Sequence, residues 1–487
     1  MKRPLLYVII AFIVSRLLYL WAGVRFDQSS LDHFWQYIDI SLLQHNLGQS
    51  IWYLHSQPPL YNLFLGCVLK LSPHHTALAF HLAYLTCGLT MAVSMFLLMV
   101  GLRVSSKLAA VLTILFVVSP SAVLYENWLF YTYPLAAMLA LSALLLHRFL
   151  SCPKLSRGAA FFGVMACIVL TRSLFHIAWF ALFVLILLAW KRRDWKVILC
   201  SACVPFLLIF IWYAKNLYLF GQFTSSTWMG MSLAKITAFQ LPEKERLTLK
   251  NQGKVSELAF IVPFSRIEKY TGYLNRSKTG IPVLDQRSKP HGESNYNNVA
   301  YIQISRQYGR DAAYVLKSHP EAYVIGTVKS YGVFFLPASE YAFLKGNRER
   351  VQGLDRFYSL VFTGRLLEDA RPALKDPNVG VVRKFLNMGL FLVAGYGIAA
   401  FYGLVLALRA LRRKPMDAPL ALTVVFLWIN IVYVTLVGNS FEVGENNRFR
   451  VMIDPFMTVM VALFLNEGIR KMSLRGSRRP ELEERPG

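Results

Sequence analysis

Six short stretches of this chain hold residues that could do chemistry beside a phosphate and a sugar. The first is Ser30-Leu31-Asp32-His33-Phe34-Trp35-Gln36-Tyr37, where one carboxylate is followed by aromatics. A lone carboxylate can take the proton of an attacking hydroxyl or amine. The bland reading sets Asp32 at a membrane interface, capping the helix that follows. Asp27 and Asp39 compete with it for any catalytic role. The second is His55-Ser56-Gln57-Pro58-Pro59-Leu60. Its prolines remove backbone donors and favour a helix start, so it reads either as a loop-to-helix entry or as His55 and Gln57 facing the cavity of Asp32. Glu126, in Tyr125-Glu126-Asn127-Trp128, is an acid between two apolar runs, costly there unless solvated or paired.

Three cationic positions complete the set. Arg172 occupies a tight turn between apolar runs and either snorkels to headgroups or binds phosphate. Glu445-Asn446-Asn447-Arg448-Phe449-Arg450 precedes the last apolar run. A guanidinium fork matches phosphate oxygens and keeps its charge in a dry site. Arg448 and Arg450 are two apart, so on a helix they point about 200° apart and Arg448 is the favoured one. Lys215, beside Asn216, could join the same rim.

The elements that must position these residues are membrane helices. Of 487 residues, 55% are hydrophobic and 16% charged, a balance rare in soluble domains. Runs such as 4–24, 77–101, 174–190 and 388–408 approach or exceed the length that crosses about 30 Å of hydrocarbon at roughly 1.5 Å per residue. Ten spans are expected, near 5–23, 76–100, 107–122, 132–150, 158–171, 174–190, 196–213, 386–409, 418–437 and 452–467. The first holds Arg16 and lacks a small-residue cleavage site, so it reads as a retained helix. Residues 59–71 are too short to cross and are expected to be re-entrant or interfacial.

The net charge of +25 would suggest nucleic acid on a soluble protein; here it concentrates in short loops. Arg103 and Lys107, Arg148 to Arg157, Lys191 to Lys196, Arg409 to Lys414 and the tail from Arg470 all fall in the cytoplasm if both termini do. The exterior then receives 25–75, the turns at 121–131, 171–173 and 438–448, and the long stretch 215–383. The organisation expected is a transmembrane module at 1–214, a small mixed extracytoplasmic domain at 215–383, and C-terminal helices with a tail at 384–487. The six cysteines leave that domain without disulfides, and none has zinc-site spacing. His55, His74 and His75 are metal candidates by composition alone. Asn275-Arg276-Ser277 is a glycosylation pattern that matters only in an endoplasmic reticulum; compact loops favour a bacterial inner membrane.

In this order the motifs resemble the GT-C glycosyltransferase superfamily, in particular relatives of protein O-mannosyltransferases and lipid A aminoarabinose transferases. The resemblance rests on Asp32 to Tyr37, on His55 to Leu60, on Glu126, and on Asn447-Arg448-Phe449-Arg450 before the span containing Asp454-Pro455. It implies inverting transfer of a sugar from a polyprenyl-phosphate carrier to a lipid, glycan or protein acceptor outside the cytoplasm, with Asp32 as base. Many relatives carry two adjacent acids there; His33 stands at the second position, which bears on any divalent cation held by such a pair. The residues on their own leave two other classes open: a transporter or flippase of a lipid-linked substrate, and a surface-polysaccharide polymerase or ligase.

Overall fold

In the computed structural model the chain is described over residues 2–274, 278–368, 380–411 and 418–476. The Asn275 glycosylation pattern, the basic run 412–414 and the basic tail beyond 476 lie outside the described residues.

Seven helices are long and apolar enough to cross a membrane: Lys2–Trp21, Thr76–Gly101, Thr132–Ser151, Arg192–Phe220, Leu390–Arg409, Ala418–Phe441 and Asn446–Met472. An eighth arises if Ser106–Val117 and Pro120–Glu126 form one span bent by 59°. The bend has a local cause. Pro120 opens a new helix, and Ser119 caps it by accepting from the Ala122 N–H at 3.3 Å. The fifth and sixth expected spans fall on shorter apolar helices, Leu155–Thr171 and Ile177–Trp190, of 17 and 14 residues. Pro59–Leu71 is likewise a helix of 13 residues, begun by the proline pair.

The bundle is an integral membrane architecture by its outer surface. Leu17, Trp21, Leu185, Val204 and Phe401 stand exposed on these helices, an apolar shell that hydrocarbon tolerates and water does not. Inside, Thr132–Ser151 packs against Thr76–Gly101, Leu155–Thr171, Ala418–Phe441 and the last helix, around one continuous apolar core.

The two ends of the bundle differ. At one end the Ser105 N–H donates to Asn466 at 3.2 Å, Asn466 donates to the Arg103 carbonyl at 3.2 Å, and His147 meets Thr423 at 3.3 Å. The basic loop at Arg103 and Lys107 and the end of the helix carrying His147 therefore lie together there. At the other end the starts and ends of the same helices bring Tyr131, Arg172, Tyr433 and Arg448 together.

The segment between Phe220 and the C-terminal helices is helical too. Ala300–Ser318 buries Tyr301, Ile304, Tyr308, Ala312 and Val315, a helical stripe, and lies against Met229–Ile236. The two helices cross so closely that a Cβ at Gly230 would come within 1.8 Å of the Ser305 carbonyl oxygen. A mixed domain was expected here; among the described residues no strand forms, and the nearest features are isolated bridges at Asp27–Trp128 and Ser288–Ser294. The Gly-, Asn- and Ser-rich run gives short turns instead, because Asn295 and Asn298 side chains bond nearby main chain and compete with strand pairing.

Candidate functional site

A cavity of about 390 Å³ opens at the end of the bundle away from the basic loops. Its wall draws on Trp35 and Gln36, Gln57, Arg172 to Leu174, Thr224 to Ser226, Trp228, Lys235, and the turn that carries Glu442, Glu445 and Arg448. Each is held by its own local device. Trp35 follows the one-turn helix Ser30–His33, whose loop is tied down by Ser30 and Tyr37 donating to the Leu129 carbonyl at 2.6 and 2.8 Å. Trp35 also stacks on Phe264 at 5.5 Å. Gln57 stands just ahead of the helix started by Pro59, and Asn297 accepts from the N–H groups of His55 and Ser56 at 2.9 and 3.1 Å. Arg172 ends Leu155–Thr171 in extended backbone, which turns its side chain off the helix axis.

The cationic centre is a pair of guanidinium groups sharing one phenol. Arg172 donates to the Tyr131 hydroxyl in a short contact and stacks 4.9 Å from the Tyr131 ring and 5.3 Å from Phe449. Arg448, 2% exposed, donates to the same hydroxyl at 3.2 Å and lies 4.7 Å from the Phe130 ring. The Nε–H of each arginine is buried without a hydrogen-bond partner. A buried charged donor left without a partner is costly.

Two carboxylates balance part of this charge. Glu445 accepts from Arg448 at 2.5 Å, and Glu442 pairs with Lys235 in a short contact. Burial pushes Glu445 up, but Arg448, Lys235 and Arg172 outweigh it and hold the carboxyl below its usual range. For Lys235 burial pulls down and Glu442 pushes up, with a net rise. The wall thus carries three cations against two carboxylates.

The structure distributes the sequence candidates unevenly. Gln57, Arg172 and Arg448 line one cavity. Arg450 does not join them; it lines a second cavity on the other side of the helix, as its 200° offset from Arg448 requires. Lys215 lies behind the wall, donating to the Leu54 carbonyl at 2.9 Å over the Trp212 ring. Glu126 is fully buried between helices, where Arg16 grips it through two contacts of 2.8 Å. Asp32 is not among the lining residues. Its side chain is 33% exposed and meets His291 Nε2 at 3.2 Å. Nearby, burial pushes Lys289 down to about 8 against the pull of Asp39, Glu293 and Asp32, and its ammonium donates to the Phe34 carbonyl at 2.7 Å.

Asp27 and Asp39, the competing acids, are occupied by main chain: Asp27 accepts from the Ser29 N–H at 2.8 Å and Asp39 caps Ile40–His45. Lys235, Ser232, Trp228 and Glu442 carry no signal in the linear sequence. Lys235 and Glu442 are 207 residues apart and meet only through packing of Met229–Ile236 on Ala418–Phe441.

His55 also sits behind the wall, with its ring nitrogens 2.8 Å from Thr227 Oγ1 and 2.9 Å from the Asn297 carbonyl. Burial pushes it down to about 3 from an ordinary 6.5. The unfolded chain therefore takes up a proton below pH 6.5 that the folded chain refuses until about pH 3. Stability contributed by the neutral ring is present above pH 6.5 and is lost as pH falls through this window, by on the order of a few kcal/mol. Thermal unfolding in detergent across that range should show the fall, and His55→Gln should flatten it; an unchanged slope would separate His55 from the acid response.

His74 and His75 stay exposed at a turn. Among the described residues, one group has ligand atoms within metal-binding reach of one another: Glu245, His319 and Glu321, where His319 Nδ1 lies 3.1 and 3.3 Å from the two carboxylates. It lies apart from the cavity and reads as an ion-paired surface cluster. Comparison with protein-family models, curated proteins and solved structures finds no match.

Proposed function

We propose that this protein is a membrane glycosyltransferase that moves a sugar from a polyprenyl-phosphate carrier to an acceptor at the extracytoplasmic face. The observation that carries the reading is the Arg172–Arg448 couple, two buried guanidinium groups that share one phenol and belong to residues lining the same cavity. Such a couple suits a phosphate that gains charge as it leaves. The basic residues Arg103, Lys107 and His147 lie at the opposite end, and the positive-inside tendency supports reading this cavity as extracytoplasmic; a bacterial inner membrane is the proposed location.

In this reading the acceptor oxygen or nitrogen attacks the anomeric carbon. The bond from that carbon to the phosphate oxygen breaks, and the phosphate leaves with the electron pair against Arg172 and Arg448. The acceptor proton passes to a carboxylate, and the anomeric configuration inverts. Asp32 is the proposed base. Glu442 and Glu445 are held by Lys235 and Arg448, and Asp27 and Asp39 by main chain. Asp32 has a surface histidine for a partner and stands three residues before the cavity wall at Trp35. The reading requires Asp32 to leave His291 and turn toward the bound acceptor.

Arg448→Ala and Arg172→Ala should each raise the donor concentration needed for half-maximal transfer by about 10- to 100-fold, the worth of a charged hydrogen bond. Proteoliposomes supplied with a polyprenyl-phosphate sugar test this. Unchanged donor dependence in both variants rejects phosphate binding, and movement of the lipid across the bilayer without transfer assigns the cavity to transport.

A further inference from the structure

On the far side of the same helix lies a second cavity of about 330 Å³ that the proposed reaction does not use. It is amphiphilic along its length. Leu112, Phe116 and Val461 make an apolar trough, and Phe391 and Phe362, 60% and 42% exposed, flank it on the bundle surface. Its polar end holds Arg450 and Asp454. Arg450 is 2% exposed; it donates to the Leu336 carbonyl at 3.1 Å, while its Nε–H has no partner. Asp454 accepts from the Tyr396 hydroxyl at 3.0 Å. The two residues stand about one helical turn apart on the backbone, roughly 6 Å along the axis, and no salt bridge among the described residues joins them. Asp355, the third charged residue of the wall, is already held by Arg348 at 2.5 Å.

A ligand with one negative charge would leave Asp454 opposing it, and a cation would leave Arg450 unsatisfied. A headgroup with an anion and a cation on a two-carbon link satisfies both, and the trough takes the start of its chains. We infer that this cavity binds one zwitterionic phospholipid of the ethanolamine type, with its phosphate on Arg450 and its ammonium toward Asp454. The remaining chain length lies along Phe391 and Phe362, in the bilayer. The inference stands apart from the transfer reaction, since Arg448 and Arg450 serve different cavities.

The test uses the full chain, delipidated in detergent and examined by native mass spectrometry with three probes: dihexanoyl phosphatidylethanolamine, the phosphatidylglycerol of the same chains, and farnesyl phosphate. The ethanolamine lipid should be retained over the other two. Arg450→Gln should weaken it at least tenfold, and Asp454→Asn should bring it level with phosphatidylglycerol. Gly395→Leu offers a check that keeps both charges: a Cβ at Gly395, in the cavity wall, meets nothing within 4 Å, so the leucine fills the space and should abolish retention. Preference for phosphatidylglycerol overturns the zwitterion assignment. Preference for farnesyl phosphate makes the cavity a site for the lipid-phosphate carrier instead. Retention of the ethanolamine lipid by Gly395→Leu removes the site altogether.

Discussion

Asp32→Asn is expected to lower sugar transfer by about 10²- to 10⁴-fold, the usual contribution of a positioned general base, with donor binding unchanged. Asn keeps the shape of the side chain and can still accept from His291. In the Asp32–His291 pair the carboxylate is one-third exposed and the imidazole more than half, and such pairs contribute little to stability, so the protein should fold and insert normally. The contrast that gives the experiment its force is Glu445→Gln and Glu442→Gln. Those carboxylates already line the cavity but are neutralised by Arg448 and Lys235. If Glu445→Gln abolishes transfer while Asp32→Asn retains it, proton removal happens inside the cavity and the assignment of Asp32 is wrong.

Glu126→Ala should destabilise the protein by about 3–5 kcal/mol, the cost of leaving a buried charge without its partner. Arg16 enters the bundle from the first helix and holds Glu126 through Nε and a terminal nitrogen, both at 2.8 Å, while Tyr133 donates to the same carboxylate at 2.7 Å. The space exists because position 88 is glycine: a Cβ there would lie 2.1 Å from the Glu126 carboxylate oxygen. The paired change Arg16→Leu with Glu126→Leu should be far milder, because no charge is then stranded. Thermal unfolding in detergent distinguishes these outcomes, and equal transition temperatures for wild type and Glu126→Ala would free Glu126 for a direct role in binding. The loss should also reach the Asp32 loop. Asn127 and Leu129 hold Asp27 through main-chain bonds of 2.8 and 2.9 Å, so faster amide exchange over residues 27–37 is expected in Glu126→Ala.

The candidate site was legible in part. Arg172 and Arg448 stood out because a cation at the mouth of an apolar run needs a reason, and each run end is fixed by composition. The offset of Arg450 followed from helical geometry once Arg448 and Arg450 were placed on one helix. Glu126 was visible as an anomaly but not as half of a pair, since Arg16 lies 110 residues away. Lys235 and Glu442 gave no warning, because a lysine on a short amphipathic helix and a glutamate in a turn are ordinary in isolation. His55 drew notice as a possible ligand; its burial against Thr227 and Asn297 depends on a loop that closes from more than 170 residues away.

By itself the sequence determined that this chain lives in a membrane as helices, and where most of those helices begin and end. Hydrocarbon offers no partner to a bare N–H or C=O, so length and apolarity alone force a helix. It also determined that basic loops alternate along the chain, since that pattern is written in residue order. Only the tertiary structure decided that the third expected span would bend and the fifth and sixth would fall on short helices, that 215–383 would hold no strand among its described residues, and that two arginines would share Tyr131. Those outcomes depend on which faces pack together, and in a lipid solvent, where burial of apolar surface gives no direction, shape and polar contacts between distant segments choose the partners.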